Sequence, residues 1–319
     1  MVLLEISNIK IYYYTLTGIV KAVDNVSLTI NENEWISVVG ESGCGKSTLA
    51  YGVIRLVPPP GKIISGKIVF QGKDLLSMDR EEFRKMLGKD IGMVFQDPMT
   101  SLDPLRKVGE QLAEVFMIHL KMDQKEALRY AGDLLEKVGL TKDRVNYYPH
   151  QLSGGQRQRV SIAIAMALRP KLLIADEPTT ALDVIVQDTI MDLIESFKKE
   201  GTSILFITHD LALAAERSDR IAVMYAGKLV ELGNVDQIVD NPKHPYTIGL
   251  LQSVPDLWGP RKIESISGYP PDLRTPPSGC RFHPRCKEKF EPCSKEEPPL
   301  IEIEPGHYVS CWLYVKGGA

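Results

Sequence analysis

No apolar run in this chain of 319 residues approaches the roughly 18 that a membrane-crossing helix needs, so contact with a membrane would have to come through another subunit. An excess of one charge is also missing. Lys and Arg number 38 against 41 Asp and Glu, and a net charge of −3 gives no support to a surface spread for nucleic acid. An export signal is lacking too, because Glu5 interrupts Met1-Val-Leu-Leu-Glu-Ile-Ser7 where a signal peptide keeps an apolar core. The expected location is the cytoplasm. Cysteine is scarce and uneven: Cys44 stands alone, while Cys280, Cys286, Cys293 and Cys311 crowd the C-terminal end. Proline shifts in the same direction, with 13 of its 21 residues after position 240, and this places a boundary near Asn241-Pro242.

Against these absences stands Gly40-Glu-Ser-Gly-Cys-Gly-Lys-Ser-Thr48, which fits G-x-x-x-x-G-K-[ST]. It follows the apolar run Trp35-Ile-Ser-Val-Val39 and precedes a helical pattern from Thr48 to Ile54. Strand, glycine loop and helix are the context a phosphate cradle requires: Gly40, Ser42, Gly43, Cys44, Gly45 and Thr48 present backbone donors to phosphate oxygens. Lys46 reaches the β- and γ-phosphates, and the Ser47 hydroxyl suits Mg²⁺. ATP and Mg²⁺ are the ligands this implies.

The rest of the chain reads as α/β. Residues 3–39 alternate apolar and polar side chains as strands of a small antiparallel sheet, with Tyr12, Tyr13 and Tyr14 available to stack on a purine or simply to pack. Ile63–Phe70 and Ile91–Phe95 are further strands, the second ending at Gln96 before the loop Asp97-Pro-Met-Thr-Ser-Leu-Asp-Pro104. Helical spacing then runs through Val108, Leu112, Val115 and Phe116, and again through Leu128, Ala131, Leu135 and Val138, so residues about 97–165 form a helical subdomain. Ser153 is placed to cap a helix opening at Gly154-Gly-Gln156. Lys171-Leu-Leu-Ile-Ala-Asp-Glu177 is a buried strand ending in two carboxylates, 188–200 a helix, and Ser203–Thr208 a buried strand ending at His209. Ile221–Tyr225 and Leu229–Leu232 suggest a closing hairpin.

Phosphoryl transfer needs a cradle, a metal, an oriented water and charge neutralisation. Asp176 suits Mg²⁺ coordination and Glu177 a general base beside it. Gln96 could contact Mg²⁺ or the attacking water, and His209 could reach the γ-phosphate.

The phosphate loop, Gln96, Leu152-Ser-Gly-Gly-Gln156, the Leu172–Glu177 strand, Ala181-Leu-Asp183 and His209 occur in the order found in ATP-binding cassette (ABC) ATPases, which this chain resembles over roughly residues 3–235. The resemblance implies an ABC nucleotide-binding domain over 1–240, with a phosphate-loop core, an antiparallel β subdomain and a helical subdomain. A small irregular extension over 241–319 follows it. It also implies that Ser153, Gly154, Gly155 and Gln156 close over ATP held by another subunit, that Asp183 lies at the subunit seam, and that Tyr13 stacks on adenine, with Tyr12 and Tyr14 as alternatives. Phe95–Pro104, Tyr148-Pro-His-Gln-Leu-Ser-Gly-Gly155 and His244-Pro-Tyr-Thr-Ile-Gly-Leu-Leu251 look like the oligopeptide/dipeptide class of ABC importers. That class implies a second, homologous ATPase subunit, two transmembrane permeases and an extracellular substrate-binding protein. The chain would then sit at the cytoplasmic face of the membrane, with peptides, nickel complexes or oligosaccharides as cargo. Soluble ABC ATPases of translation, DNA repair or cluster assembly are the alternative. Those of translation carry two cassettes in one chain and those of repair long heptad arms, and neither is found here. Where the family usually has Ser, this chain has Cys44, which would leave backbone binding intact and add sensitivity to oxidation.

Cys280, Cys286, Cys293 and Cys311 follow C-x5-C-x6-C-x17-C, without the close pairs of structural zinc. The resemblance to peptide importers implies a [4Fe–4S] cluster on these four residues. Zinc, free thiols and disulfides are the alternatives.

Overall fold

A computed structural model describes residues 1–97, 101–180, 182–253 and 265–315. Pro98, Met99 and Thr100 of the Asp97–Pro104 loop, Ala181 of Ala181-Leu-Asp183, and positions 254–264 and 316–319 of the extension lie outside the described residues. The chain divides into two units. The larger comprises Val2–Ile30, Trp35–Leu76 and Phe206–Ala319, the smaller Met1, Asn31–Glu34 and Ser77–Leu205.

The larger unit begins with β1 (Val2–Thr15), β2 (Gly18–Asn31), β3 (Trp35–Val39), α1 (Lys46–Val53), β4 (Gly61–Phe70) and β5 (Lys73–Asp74). Four strands form a sheet in the order β2-β1-β4-β5. The alternation expected of β1 breaks between Ile6 and Ile9, both buried, and the structure shows why. Asn8 adopts φ 49° and the register against β4 slips between Ser7 and Lys10. This bulge inserts residues so that Ile9 and Ile11 stay inward. Every residue of β3 is buried, as a strand covered on both faces must be.

The smaller unit carries α2 (Arg80–Met86), β6 (Ile91–Val94), α3 (Val108–Leu120), α4 (Gln124–Lys137), α5 (Gly154–Met166), β7 (Leu172–Asp176) and α6 (Val184–Lys199). β6 and β7 pair in parallel from Ile91↔Leu172 to Val94↔Ala175. The apolar stripes at helical spacing meet as expected: Val108 and Leu112 of α3, Ala131 and Leu135 of α4, and Val160 and Ala163 of α5 share one core. Asp123 starts α4 by accepting the Glu126 N–H at 2.9 Å.

β8 (Ser203–Thr208) runs through the division, and the larger unit resumes with α7 (Leu211–Arg217), β9 (Arg220–Tyr225), β10 (Lys228–Asn234), α8 (Val235–Val239), α9 (Pro245–Gln252), α10 (Glu291–Lys295), β11 (Ile301–Glu304) and β12 (His307–Val309). β3 pairs in parallel with β9, and β9 and β10 form the expected hairpin. The extension then prolongs that sheet, since β12 pairs antiparallel with β10 and β11 with β12. The rings of Tyr225, Tyr246 and Phe282 meet at centroid distances of 4.5, 5.1 and 5.4 Å. Each such buried ring contributes roughly 1.5–3 kcal/mol.

Beside them lies Glu231, fully buried. Its carboxylate accepts the backbone N–H groups of Lys243 and His244 at 2.7 and 2.9 Å and faces His307 Nε2 at 2.8 Å. Three partners satisfy a charge that burial alone would penalise. Burial pushes the His244 imidazole down to about 4, so its neutral Nδ1 accepts the Tyr246 N–H at 3.0 Å and starts α9.

Candidate functional site

The phosphate loop lies in the larger unit, between β3 and α1. Two of its glycines are dictated by close approach. A Cβ on Gly40 (φ 150°) would stand 2.1 Å from the Met224 carbonyl oxygen, and one on Gly45 (φ 107°) 2.0 Å from that of Ala22. Gly45 also caps α1, so the helix N-terminus opens onto the loop. Lys46 is buried, and its ammonium donates to the carbonyls of Gly40 and Glu41 at 2.7 and 3.2 Å. Ser42 and Gly43 are exposed, and Thr48 Oγ1 lies 3.3 Å from the Tyr13 hydroxyl. Tyr13 therefore stands on the face of β1 that meets α1. Tyr12 turns instead to Asp24, whose Oδ1 accepts its hydroxyl at 2.7 Å. Burial works to raise the Asp24 carboxyl, but the Tyr12 hydroxyl, Lys228 and Arg281 hold it below the usual carboxylate range.

Cys44 is buried, and burial pushes its thiol up. A protonated, inaccessible thiol reacts slowly with oxidants, which speaks against the added sensitivity expected from sequence. Its backbone carries the loop, accepting the Gly227 N–H at 2.8 Å.

The smaller unit holds the acidic corner. Asp176 closes β7 fully buried. Glu177 follows with φ 44°, a left-handed conformation that costs a non-glycine residue of order 1 kcal/mol and persists where its surroundings impose it. Its Oε2 accepts from Gln96 Nε2 and from Thr180 Oγ1, each at 3.0 Å. The fold thus joins two expected catalytic residues that stand 81 positions apart. Thr180 was not foreseen, although a hydroxyl three residues after an acid at a strand end is a readable signal.

The signature in the same unit forms the expected cap. Ser153 Oγ accepts the Gln156 N–H at 3.3 Å, and Gln156 Oε1 accepts the Ser153 N–H at 3.1 Å. Gly154 and Gly155 open α5, and a Cβ on Gly155 would meet Val186 of α6 at 2.6 Å. Asp183 has a local task, accepting the Val186 N–H at 3.0 Å as the cap of α6. His209 is exposed directly after β8, before Asp210, which caps α7.

The expected [4Fe–4S] site is corrected. Among the described residues no group of three or more His, Cys, Asp or Glu is placed to hold a metal ion, so the four cysteines form no ligand cage, for iron or for zinc. All are free thiols. Burial pushes the Cys280 thiol up to about 11 and the Cys311 thiol up to about 12, and raises that of Cys286. Cys280 and Cys286 pack instead against the apolar cluster of Tyr246 and Phe282.

Comparison with known proteins agrees with this geometry. Residues 23–180 match the ABC transporter family. A solved dimer of the cassette MJ0796, in a post-hydrolysis state bound to ADP and Pi, superposes with a TM-score of 0.66 at 31% identity, over 73% of this chain and 98% of its own. The class is therefore that of the ABC ATPases, enzymes that hydrolyse ATP. Residues 230–293 match the oligopeptide/dipeptide transporter C-terminal region. The oligopeptide transport ATP-binding protein OppD of Bacillus subtilis is 47% identical, covering 98% of this chain and 88% of its own length. The dipeptide transport ATP-binding protein DppD of Lactococcus lactis is 44% identical over 97% and 90%. The chain belongs to the oligopeptide/dipeptide family of ABC transporter ATP-binding proteins. No helix among the described residues is long and apolar enough to cross a membrane.

Proposed function

We propose that this chain is the ATP-hydrolysing subunit that energises an importer of oligopeptides or dipeptides. The observation that carries the reading is that the likeness to peptide-transport ATP-binding proteins continues beyond the cassette, through the C-terminal extension. In this reading Gly40 to Thr48 hold the phosphates of ATP, with Lys46 leaving its carbonyl partners for the β- and γ-phosphates. Tyr13, beside Thr48, carries adenine. Ser47, Gln96 and Asp176 hold Mg²⁺, which when bound neutralises charge on the phosphates. Since the Gln96 amide nitrogen is committed to Glu177, its oxygen would be the atom that serves Mg²⁺. Glu177 takes the proton of the attacking water, oriented by Gln96 and Thr180, and His209 reaches the γ-phosphate.

Ser153, Gly154, Gly155 and Gln156 serve the ATP of a homologous second ATPase, with Asp183 at the seam between subunits. Two permeases and an extracellular binding protein complete the importer, and the chain works at the cytoplasmic face. Cells carrying Glu177→Gln in place of the wild-type chain are expected to lose uptake of radiolabelled di- and oligopeptides. Unchanged uptake, with ATP hydrolysis abolished in the purified variant, would remove the importer reading and favour an ATPase uncoupled from transport.

A further inference from the structure

Glu41, the residue after the first glycine of the phosphate loop, is held by two residues of the C-terminal extension. Its carboxylate accepts Arg285 Nη1 and Nη2 at 2.7 and 3.0 Å. Its backbone N–H donates to the Tyr246 hydroxyl at 2.9 Å. The Arg285 side chain is 6% exposed and that of Glu41 25%, so water screens the pair little. Arg285 is itself fixed: Nε donates to the Ser267 carbonyl at 3.0 Å, Nη1 to the Tyr225 hydroxyl at 3.3 Å and Nη2 to the Ile266 carbonyl at 3.4 Å.

The same glutamate faces inward through its carbonyl, which with that of Gly40 receives the Lys46 ammonium. Glu41 therefore joins the extension on one side to the loop lysine on the other. Arg281, four residues before Arg285, makes a parallel connection by pairing with Asp24 and donating to the Ala226 carbonyl.

We propose that Arg285 and Tyr246 are positioning residues for nucleotide binding. By clamping Glu41 they hold the phosphate loop in its binding conformation, so the extension sets the affinity of the ATP site in its own chain. This rests on the reading that the loop binds the phosphates of ATP. Neither residue is assigned a reacting group, so the clamp acts on affinity and leaves the chemical step alone.

The test is calorimetric titration of the full-length chain with Mg²⁺ and a non-hydrolysable ATP analogue, together with steady-state ATP hydrolysis. Arg285→Ala is expected to raise Kd and KM roughly tenfold, the effect of losing a charge-assisted bidentate pair, with kcat at saturating ATP within about twofold. Tyr246→Phe keeps the ring and loses the acceptor, and should raise Kd about threefold. Arg285→Lys should fall between wild type and alanine. Arg274→Ala removes an exposed pair with Asp272 in the same extension and a hydrogen bond to the Thr17 hydroxyl, touches neither Glu41 nor Lys46, and should leave Kd unchanged. An unchanged Kd in folded Arg285→Ala and Tyr246→Phe overturns the proposal, and so does an equal loss in Arg274→Ala, which would mark general loosening. If Arg285→Ala does not fold, Arg285→Lys and Tyr246→Phe decide. A wild-type chain that fails to bind the analogue would overturn the reading of the loop itself, and the proposal with it.

Discussion

In the function proposed here the working atoms of the phosphate loop belong to the backbone, whereas those of the Glu177 corner belong to side chains. The loop is shaped by distant neighbours: Met224 and Ala22 forbid a Cβ on Gly40 and Gly45, and Arg285 and Tyr246 hold Glu41. The corner is shaped close at hand, by a left-handed backbone at Glu177 and by Thr180 three residues on, with Gln96 reaching it from 81 positions away. A site built from backbone tolerates a changed side chain where that side chain keeps its contacts, as Cys44 does in accepting weakly from the Lys46 ammonium at 4.0 Å, but no added atom at a glycine in close contact. A site built from side chains reverses those tolerances.

Substitutions break or sharpen this contrast in order of expected effect. Glu177→Gln keeps the shape of the corner and removes its proposed base, so ATP hydrolysis should fall about 10²–10⁴-fold while analogue binding persists. Full turnover would take the base away from Glu177. Gly40→Ala adds one methyl group against the Met224 carbonyl and should cost about 2–4 kcal/mol by thermal or urea unfolding, with binding weakened as well. Wild-type stability in that variant would mean that the loop yields more easily than its contacts imply.

The loop side also carries a pH handle in His244, next to Tyr246. Its folded value of about 4 lies below the unfolded value, so the unfolded chain binds more protons between those two values. Stability is then complete above about pH 6.5 and declines as pH falls toward 4, by about 2 kcal/mol at pH 5. His244→Gln should flatten that decline in melting temperature, and an unchanged slope would place the acid sensitivity elsewhere.

The remaining two effects are smaller. Thr180→Val removes one donor from Glu177 and should lower kcat about three- to tenfold with KM for ATP unchanged. A raised KM would move Thr180 from orienting the base to binding. Cys44→Ser restores the common family residue and should change analogue affinity less than about twofold if, as proposed, the loop binds through backbone. A larger change would show that the side chain participates.

Much of this was legible along the chain. The strand, loop and helix at 35–54 could be read because glycine spacing and a buried apolar run are local signals. The helices from 108 to 137 were readable because their stripes face one core. The cap at Ser153 was readable for the same reason, since a capping box is closed within four residues. The extension was far less so. Its proline-rich sequence suggested irregular structure, and β12 is a short strand whose partner in β10 lies 76 to 78 positions earlier in the chain, as the pairs Leu232↔Tyr308 and Glu231↔Val309 show, while β11 pairs only with β12. The cysteines misled because spacing fixes neither the direction of a side chain nor the state of a thiol. Among the described residues no three such side chains are placed to hold a metal ion.

The sequence by itself determined the groups whose partners are near in the chain: a phosphate cradle, a capped signature helix and an acidic strand end. These follow from backbone conformation and hydrogen bonds spanning a few residues. The tertiary structure alone decided which distant groups meet. Gln96 joins Glu177, Arg281 joins Asp24 and Arg285 joins Glu41. Such pairs depend on how strands order and pack, and a buried charge must find its partner wherever the fold brings one within reach.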